Sequence, residues 1–415
     1  EVASPIFLAR CWQRSEPASS THSMPDSLAS VVGELQGVLS KDVSNAVAQE
    51  RSLLSERRRV FHRLHRQRRR RRGAAHVMAQ ESPPTFLVLG FVTNPRTPKT
   101  REWIRQTVLV PAAEVGAPAL IRFVVGKRGL SPRDVQQLDD ERRRIGKDDF
   151  AVVDASDFNE AGGIYSCIDK LFAWFRHAPV AYPGASFYAK ADDDSFVDVA
   201  RLASFLRPAA GLPRVYGGYL QYDSFVTEEW RHCGWSAGPV GAAHARRHGC
   251  PKERRVYGPF PFVVGALTVM GGDLGGWFAS SPHVAGLVEK GRATQGRPQH
   301  WDCGYSDVTL GYALGSSNLS LSLLSVSDAM RDATYGAMDA TRFVVSHHLR
   351  SQQMFEREAA RAKAQPAWSP LLGECEAWPA VRAEAGVASA ELQAAMRTFE
   401  CCQRWKLCRL GPAAK

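Results

Sequence analysis

From Phe86 onward the chain alternates short, wholly apolar runs with amphipathic stretches. Phe86–Thr93 (FLVLGFVT), Leu120–Val125 (LIRFVV), Phe150–Val153 and Phe187–Lys190 are the apolar runs. Such continuous runs predict parallel strands buried on both faces. Between them lie stretches with helical spacing. Residues 98–110 carry Arg101 and Arg105 on one face, with Trp103, Ile104 and Val108 on others. Ser131-Pro132 opens a charged helix to about Arg144, with Ser at the cap and Pro in the first turn. Residues 160–177 turn Ile164, Ile168, Leu171, Phe172 and Phe175 inward, and Val197–Leu206 predicts one more helix. Strand–helix alternation of this kind predicts an α/β fold with a Rossmann-like, mostly parallel sheet and flanking helices.

Beyond Pro213 the texture changes. Residues 215–280 are rich in Gly, Pro and aromatics and predict short strands with long loops. Residues 284–295 and 306–314 have helical spacing, and Thr341–Val345 predicts a last strand before His347-His348. Upstream, residues 1–26 are Ser- and Pro-rich and predict disorder. Residues 27–83 predict a helical basic stem and linker, because Leu28, Val31, Val32, Leu35, Val38 and Leu39 recur at helical spacing. The expected organisation is therefore 1–26, a stem over 27–83, a catalytic domain over 84–350, and a Cys- and Trp-containing extension over 351–415.

Charge refines this picture. The net charge of +11 is concentrated in residues 51–72, where eleven Arg face one Glu. Residues 1–50 hold three basic and six acidic groups, and residues 73–415 hold 39 against 35. A basic pI resting on one arginine run is expected of a solvated stem, and no nucleic-acid partner is expected. Nine Cys without a CxxC pair favour some disulfides in an oxidising compartment over a zinc site. No stretch of about 18 apolar residues is present. The chain begins with Glu, and a truncated or diverged membrane anchor is expected at that end.

The chemistry concentrates in Phe187–Val199 (FYAKADDDSFVDV). Three consecutive carboxylates, Asp192, Asp193 and Asp194, repel one another, and a divalent cation is an effective counter-ion. The other reading is a solvated turn capping the next helix. A strand end is where open α/β sheets place ligands. Neither G-x-G-x-x-G nor G-x-x-x-x-G-K-[ST] occurs, so diphosphate held here needs a metal instead of a glycine-rich cradle. Gly265 lets backbone approach a ligand closely. Arg101 and Arg105 have the chemistry to reach phosphate or a base pocket, or to form ion pairs.

Four segments, in order, give the chain a family resemblance. Arg101-Glu-Trp-Ile104-Arg105-Gln-Thr107 is similar to R-x-x-I-R-x-T-W, with Val108 for Trp. Lys190-Ala-Asp192-Asp193-Asp194-Ser-Phe196-Val197 matches K-x-D-D-D-x-F-V. Pro261 to Met270 loosely follows Y-P-x-Y-x-x-G-x-G-Y-x-x-S, and Ser306-Asp307-Val308-Thr-Leu-Gly311 resembles E-D-V-x-x-G with Ser for Glu. These segments resemble the β-1,3-glycosyltransferases of family 31 over about residues 84–350. The resemblance implies a GT-A fold and inverting, Mn²⁺-dependent transfer of galactose or N-acetylglucosamine from a UDP-sugar to a glycan or glycoprotein. It implies Asp307 as the base. It assigns Asp194 to the metal, with Asp192 as a second carboxylate and His347 as a nitrogen ligand. Lys190, Asp192, Asp193, Arg101, Arg105 and Gly265 are expected around the donor. It further implies Golgi membrane attachment with a lumenal catalytic domain, and the stem allows a dimer. The competing expectation is an inactive relative that binds carbohydrate or serves as a scaffold, favoured by the loose third motif and the missing Glu.

Overall fold

The computed structural model describes residues 85–158, 167–227, 231–232, 256–293, 306–326, 329–333, 342–366, 373–377 and 406–410. The chain divides into two compact units, Glu1–Ser82 and Pro83–Lys415, and every described residue belongs to the second. The expected N-terminal segment and stem, including Arg68–Arg72, lie outside the described residues, as do Asp302, expected as the alternative carboxylate to Asp307, and the aromatics Trp230 and Trp235, expected as candidate acceptor contacts. No helix among the described residues is long and apolar enough to cross a membrane.

The N-terminal half follows the alternation read from the sequence. Strand β1 (Leu87–Val92) leads to helix α1 (Pro98–Ile104), a π-helical turn (Arg105–Leu109) and α2 (Val110–Glu114). Next come β2 (Ala119–Arg128), α3 (Pro132–Ile145), β3 (Phe150–Ser156), α4 (Cys167–Ala181) and β4 (Phe187–Asp192). β1 pairs in parallel with both β2 and β4, and β2 with β3, in the order β4-β1-β2-β3. Helix α3 starts as expected. Ser131 Oγ accepts from the Asp134 amide at 3.2 Å, and Asp134 Oδ2 accepts from the Ser131 amide at 3.0 Å.

After β4 the chain makes the short β5 (Phe196–Val197), α5 (Val199–Leu206), β6 (Val215–Val226), β7 (Arg231–His232) and β8 (Val256–Gly271). Then follow α6 (Gly272–Ser280), α7 (Pro282–Ala293), α8 (Ser306–Gly315) and β9 (Leu321–Ser325). β10 (Met330–Asp332), β11 (Val345–His347), α9 (Gln352–Ala364), β12 (Gly373–Ala377) and β13 (Lys406–Leu410) are the last elements among the described residues. The main sheet runs β12-β13-β9-β6-β8-β4-β1-β2-β3, with β7 beside β6. β8 joins β4 and β6 antiparallel, so a parallel half is extended by a mixed half. The short-strand expectation for residues 215–280 is corrected here: β6 has 12 residues and β8 has 16. The glycines mark irregularities within long strands. The β6–β8 register shifts between Gly218 and Leu220, and Gly218 has φ 147°, open to glycine alone at little cost.

Helices cover both faces of the sheet. On one face Leu87, Leu89, Phe91, Phe123 and Phe187 pack with Ile104, Leu202, Phe205 and Phe355. On the other Val88, Val124 and Tyr188 pack with Phe172, Trp174, Phe278 and Leu314. Alternation along each strand sends neighbours to opposite faces. Each fully buried Leu or Phe contributes roughly 2 kcal/mol. Gly90 lies under Trp174, where an added Cβ would sit 2.5 Å from the indole.

Arg101 and Arg105 belong to this framework, which corrects their expected place at the donor. Arg101 is fully buried and grips Glu141 with two bonds, Nε–Oε1 at 3.0 Å and Nη2–Oε2 at 2.6 Å. It also donates to the carbonyls of Asn94 and Pro95, fixing the loop after β1. Arg105 binds Asp149 through both oxygens (2.8 and 3.1 Å) and Glu141 at 2.7 Å. These carboxylates occupy the fork geometry that a phosphate would need. Burial pushes the Glu141 carboxyl up, but the two guanidinium groups hold it below its ordinary value. Replacing Glu141 with Ala leaves the buried Arg101 without a carboxylate partner, while Arg105 keeps Asp149. The expected result is a loss of about 3–5 kcal/mol, measured as a lower denaturant midpoint at unchanged slope.

Candidate functional site

The acidic loop is built at the end of β4, opposite the end of β1, where Asp192 is in register with Val92. Lys190 and Asp192 are two residues apart on the strand and so share one face. Lys190 Nζ meets Asp192 Oδ1 at 2.6 Å and donates to the Gly265 carbonyl at 2.5 Å. Lys190 is buried, while the Asp192 and Asp194 carboxylates are about one-third exposed, 35% and 34%. The reading of this loop as a helix cap does not hold. Asp198 caps α5, its side chain accepting from the Arg201 amide at 3.0 Å.

The three carboxylates diverge. Asp193 turns back toward β1 and accepts from Thr93 Oγ1 at 3.0 Å and Thr97 Oγ1 at 3.3 Å. Its pKa is raised to about 6, because burial outweighs the Thr93 hydrogen bond and Asp194 and Asp192 push the same way. The expected donor contact of Asp193 is therefore corrected to an anchor between the loop and β1. Asp194 turns the other way. β5 pairs antiparallel with β11, and β11 pairs in parallel with β10, which brings His347 to the loop. His347 Nε2 lies 3.2 Å from Asp194 Oδ1 and 3.7 Å from Asp192 Oδ2. The Leu349 amide donates to the Asp194 carbonyl at 2.8 Å. Burial acts against both charges. Yet the hydrogen bond and mutual attraction hold Asp194 below its ordinary pKa and raise His347 above its own.

Asp194, His347 and His348 form the one cluster of potential metal ligands among the described residues, their donor atoms within 4.8 Å of one another. Asp192 stands at its edge. Carboxylate oxygens with an imidazole nitrogen suit Mn²⁺ and similar divalent ions. His347 was expected to follow the last strand. It is instead the last residue of β11, held across from Asp332 on β10, a strand not expected from the sequence.

Asp307 approaches from another direction. It lies in the first turn of α8, and its Oδ1 accepts from the Val308 amide at 3.0 Å. Gly311 lets α8 lie directly on β8: a Cβ there would be 2.5 Å from Phe262 Cβ and 2.8 Å from the Pro261 carbonyl. This contact seats Asp307 within the electrostatic reach of Lys190, Asp192 and Tyr216. Burial pushes the Asp307 carboxyl above its ordinary value, while Lys190 draws it down. A carboxyl tuned upward suits proton abstraction near neutral pH. Gly265 stands over the Lys190–Asp192 pair, where a Cβ would lie 2.9 Å from Asp192 Oδ2 and 3.3 Å from Lys190 Nζ. Of the residues expected at the site, Lys190, Asp192, Asp194, Gly265, Asp307 and His347 come together, whereas Arg101, Arg105 and Asp193 serve the framework. The sequence reading missed Thr93, Thr97 and Asp332, and it named His348 beside His347 but preferred His347 on position.

The region from α1 through the acidic loop and beyond, residues 99–246, matches the family model described as Galactosyltransferase. The chain is 29% identical over 149 residues to "Probable beta-1,3-galactosyltransferase 5" of Arabidopsis thaliana, covering 35% of this chain and 36% of that protein. It is 25% identical over 244 residues to "Beta-1,3-galactosyltransferase 7" of Arabidopsis thaliana, covering 55% of this chain and 60% of the relative. The chain thus matches less than two thirds of either relative's length. Among solved structures, galactosyltransferase LgtC in complex with donor and acceptor sugar analogs aligns at 12% identity and a TM-score of 0.35, over 67% of this chain and 97% of that one. So loose an alignment adds no detail to the site.

Mn²⁺ is expected to raise Tm, by the equivalent of about 2.7 kcal/mol at a hundred times its Kd. Asp194→Ala and His347→Ala are each expected to remove most of that rise in a thermal-shift titration. A full rise in both variants places the ion elsewhere.

Proposed function

On a chain that carries a galactosyltransferase domain of the family-31 type, we propose inverting, divalent-metal-dependent transfer of a hexose from a UDP-sugar to a hydroxyl of a glycan or glycoprotein. Galactose or N-acetylglucosamine is the sugar and β-1,3 the linkage. The observation that carries the proposal is the meeting of Asp194 with His347 beside the Lys190–Asp192 pair, with Asp307 within electrostatic reach of that pair.

The residues fit the cation that such a reaction uses. Asp194 and His347 would hold Mn²⁺, with Asp192 beside them. The ion, when bound, would neutralise charge on the departing diphosphate. Asp307 accepts the proton of the acceptor hydroxyl. The freed oxygen forms a bond to the anomeric carbon as the bond from that carbon to the UDP oxygen breaks on the opposite face, and the electron pair leaves with UDP. Gly265 keeps the space above Asp192 clear of side chain, which suits a sugar lying against the backbone. Lys190 pairs with Asp192 and draws the Asp307 carboxyl back toward its ordinary value against the upward push of burial. A lumenal Golgi setting belongs to the same reading, and a fluorescent fusion of the full-length protein would test it.

The full chain is expected to release UDP from UDP-galactose or UDP-N-acetylglucosamine in the presence of Mn²⁺, and EDTA should stop the release. Asp307→Asn should bind UDP with Mn²⁺ as the parent does while transfer falls about 10²–10⁴-fold. Transfer at the parent rate by Asp307→Asn would remove the base assignment. UDP binding with no transfer by the parent protein, across both donors and a panel of glycan acceptors, would favour the carbohydrate-binding reading.

A further inference from the structure

His347 and His348 are consecutive, yet their rings lie face to face, with centroids 3.8 Å apart and planes 25° from parallel. Consecutive residues of an extended strand point to opposite faces. The alternation is broken because His348 has φ 61°, in the left-handed region. This conformation is uncommon for any residue but Gly, although His visits it more readily than most. It persists where the surroundings fix it, and here several contacts do so. His348 Nδ1 is 2.8 Å from Oδ2 of Asp332, a carboxylate only 4% exposed. The Ala333 amide donates to the His347 carbonyl at 3.0 Å, and beyond the turn the Leu349 amide reaches the Asp194 carbonyl at 2.8 Å. The left-handed step thus brings the chain back onto the acidic loop and lays the second imidazole on the first.

Although His348 falls within the metal-ligand cluster, its geometry argues against a second coordinating imidazole. An imidazole binds a metal along a lone pair in its own plane. Two nearly parallel stacked rings send these lone pairs side by side instead of converging on one ion. Nδ1 of His348 is in addition engaged with Asp332. The stack does confine the His347 ring, whose Nε2 is directed at Asp194 with no ion needed to hold it.

We propose that the Asp332–His348 pair is a positioning device for the divalent-cation site, acting through the face of the His347 imidazole. Asp332 fixes the His348 ring, and the His348 ring keeps His347 from rotating away from Asp194. The inference rests on the metal reading of Asp194 and His347 and adds two residues that never touch the ion. Outer partners of metal ligands commonly account for 10–100-fold in affinity.

The test uses the full chain saturated with UDP. His348→Asn keeps a residue that tolerates the left-handed turn but deletes the ring, and Asp332→Asn keeps the ring but weakens its clamp. Mn²⁺ affinity is read by electron paramagnetic resonance of the free ion, and the donor set by the visible bands of bound Co²⁺. His348→Asn is expected to bind Mn²⁺ about 10–100-fold more weakly, Asp332→Asn to fall in the same direction, and the Co²⁺ bands and metal-free Tm to stay put. Unchanged Mn²⁺ affinity in both variants overturns the proposal. So does a shift of the Co²⁺ bands in His348→Asn, since His348 would then be a ligand itself. If His348→Asn does not fold, Asp332→Asn alone decides on the same affinity readout. Failure of the parent protein to bind Mn²⁺ defeats the metal reading, a result separable from a parent that binds and variants that bind equally.

Discussion

Three adjacent carboxylates at a strand end are stable only if their mutual repulsion is offset. In this protein each is turned toward a different partner. Asp192 takes the buried ammonium of Lys190, Asp193 takes the hydroxyls of Thr93 and Thr97, and Asp194 takes the imidazole of His347. The partners come from β4 itself, from the end of β1 and the loop after it, and from β11, so three separate stretches of chain hold the loop. Its residual negative charge is left on Asp192 and Asp194, the two members that remain partly open to solvent. That is the charge a cation and a diphosphate would need to meet.

Much of the fold serves this arrangement. The parallel half provides strand ends in register, and the buried group of Arg101, Arg105, Glu141 and Asp149 fixes the loop after β1 from behind. The antiparallel half provides β8, which carries Gly265 over Lys190 and supports α8 through Gly311. A separate three-stranded sheet, β10-β11-β5, delivers the histidines. Helix α9, which follows that sheet, returns Phe355 to the core beside Trp103 of α1. Distant parts of the sequence thus share one core, and the site lies where they meet.

The sequence made some of this legible and hid the rest for physical reasons. Buried parallel strands announce themselves as apolar runs, and a run of carboxylates beside one announces a charge problem. Lys190, Asp192, Asp194, Gly265, Asp307 and His347 could all be named because their chemistry is local or carried by motifs. The ion partners of Arg101 and Arg105 lie some 40 residues away in sequence, so no spacing rule separates a buried fork on Glu141 from a phosphate contact. Asp193 was expected beside the donor, because Thr93, which takes its carboxylate, lies 100 residues upstream. β6 and β8 were hidden because their glycines, which read as loop, are bulges within long strands. β10 is three residues long and leaves almost no periodic trace, which is why Asp332 went unseen.

In the proposed reading the strand-end carboxylates and His347 form one divalent-cation centre. Anomalous diffraction at the manganese edge, on crystals grown with Mn²⁺ and UDP, tests it most directly. A single strong peak is expected within bonding distance of the Asp194 carboxylate and His347 Nε2, with the diphosphate on its open side. A peak remote from both residues, or UDP bound there with no peak, would contradict it.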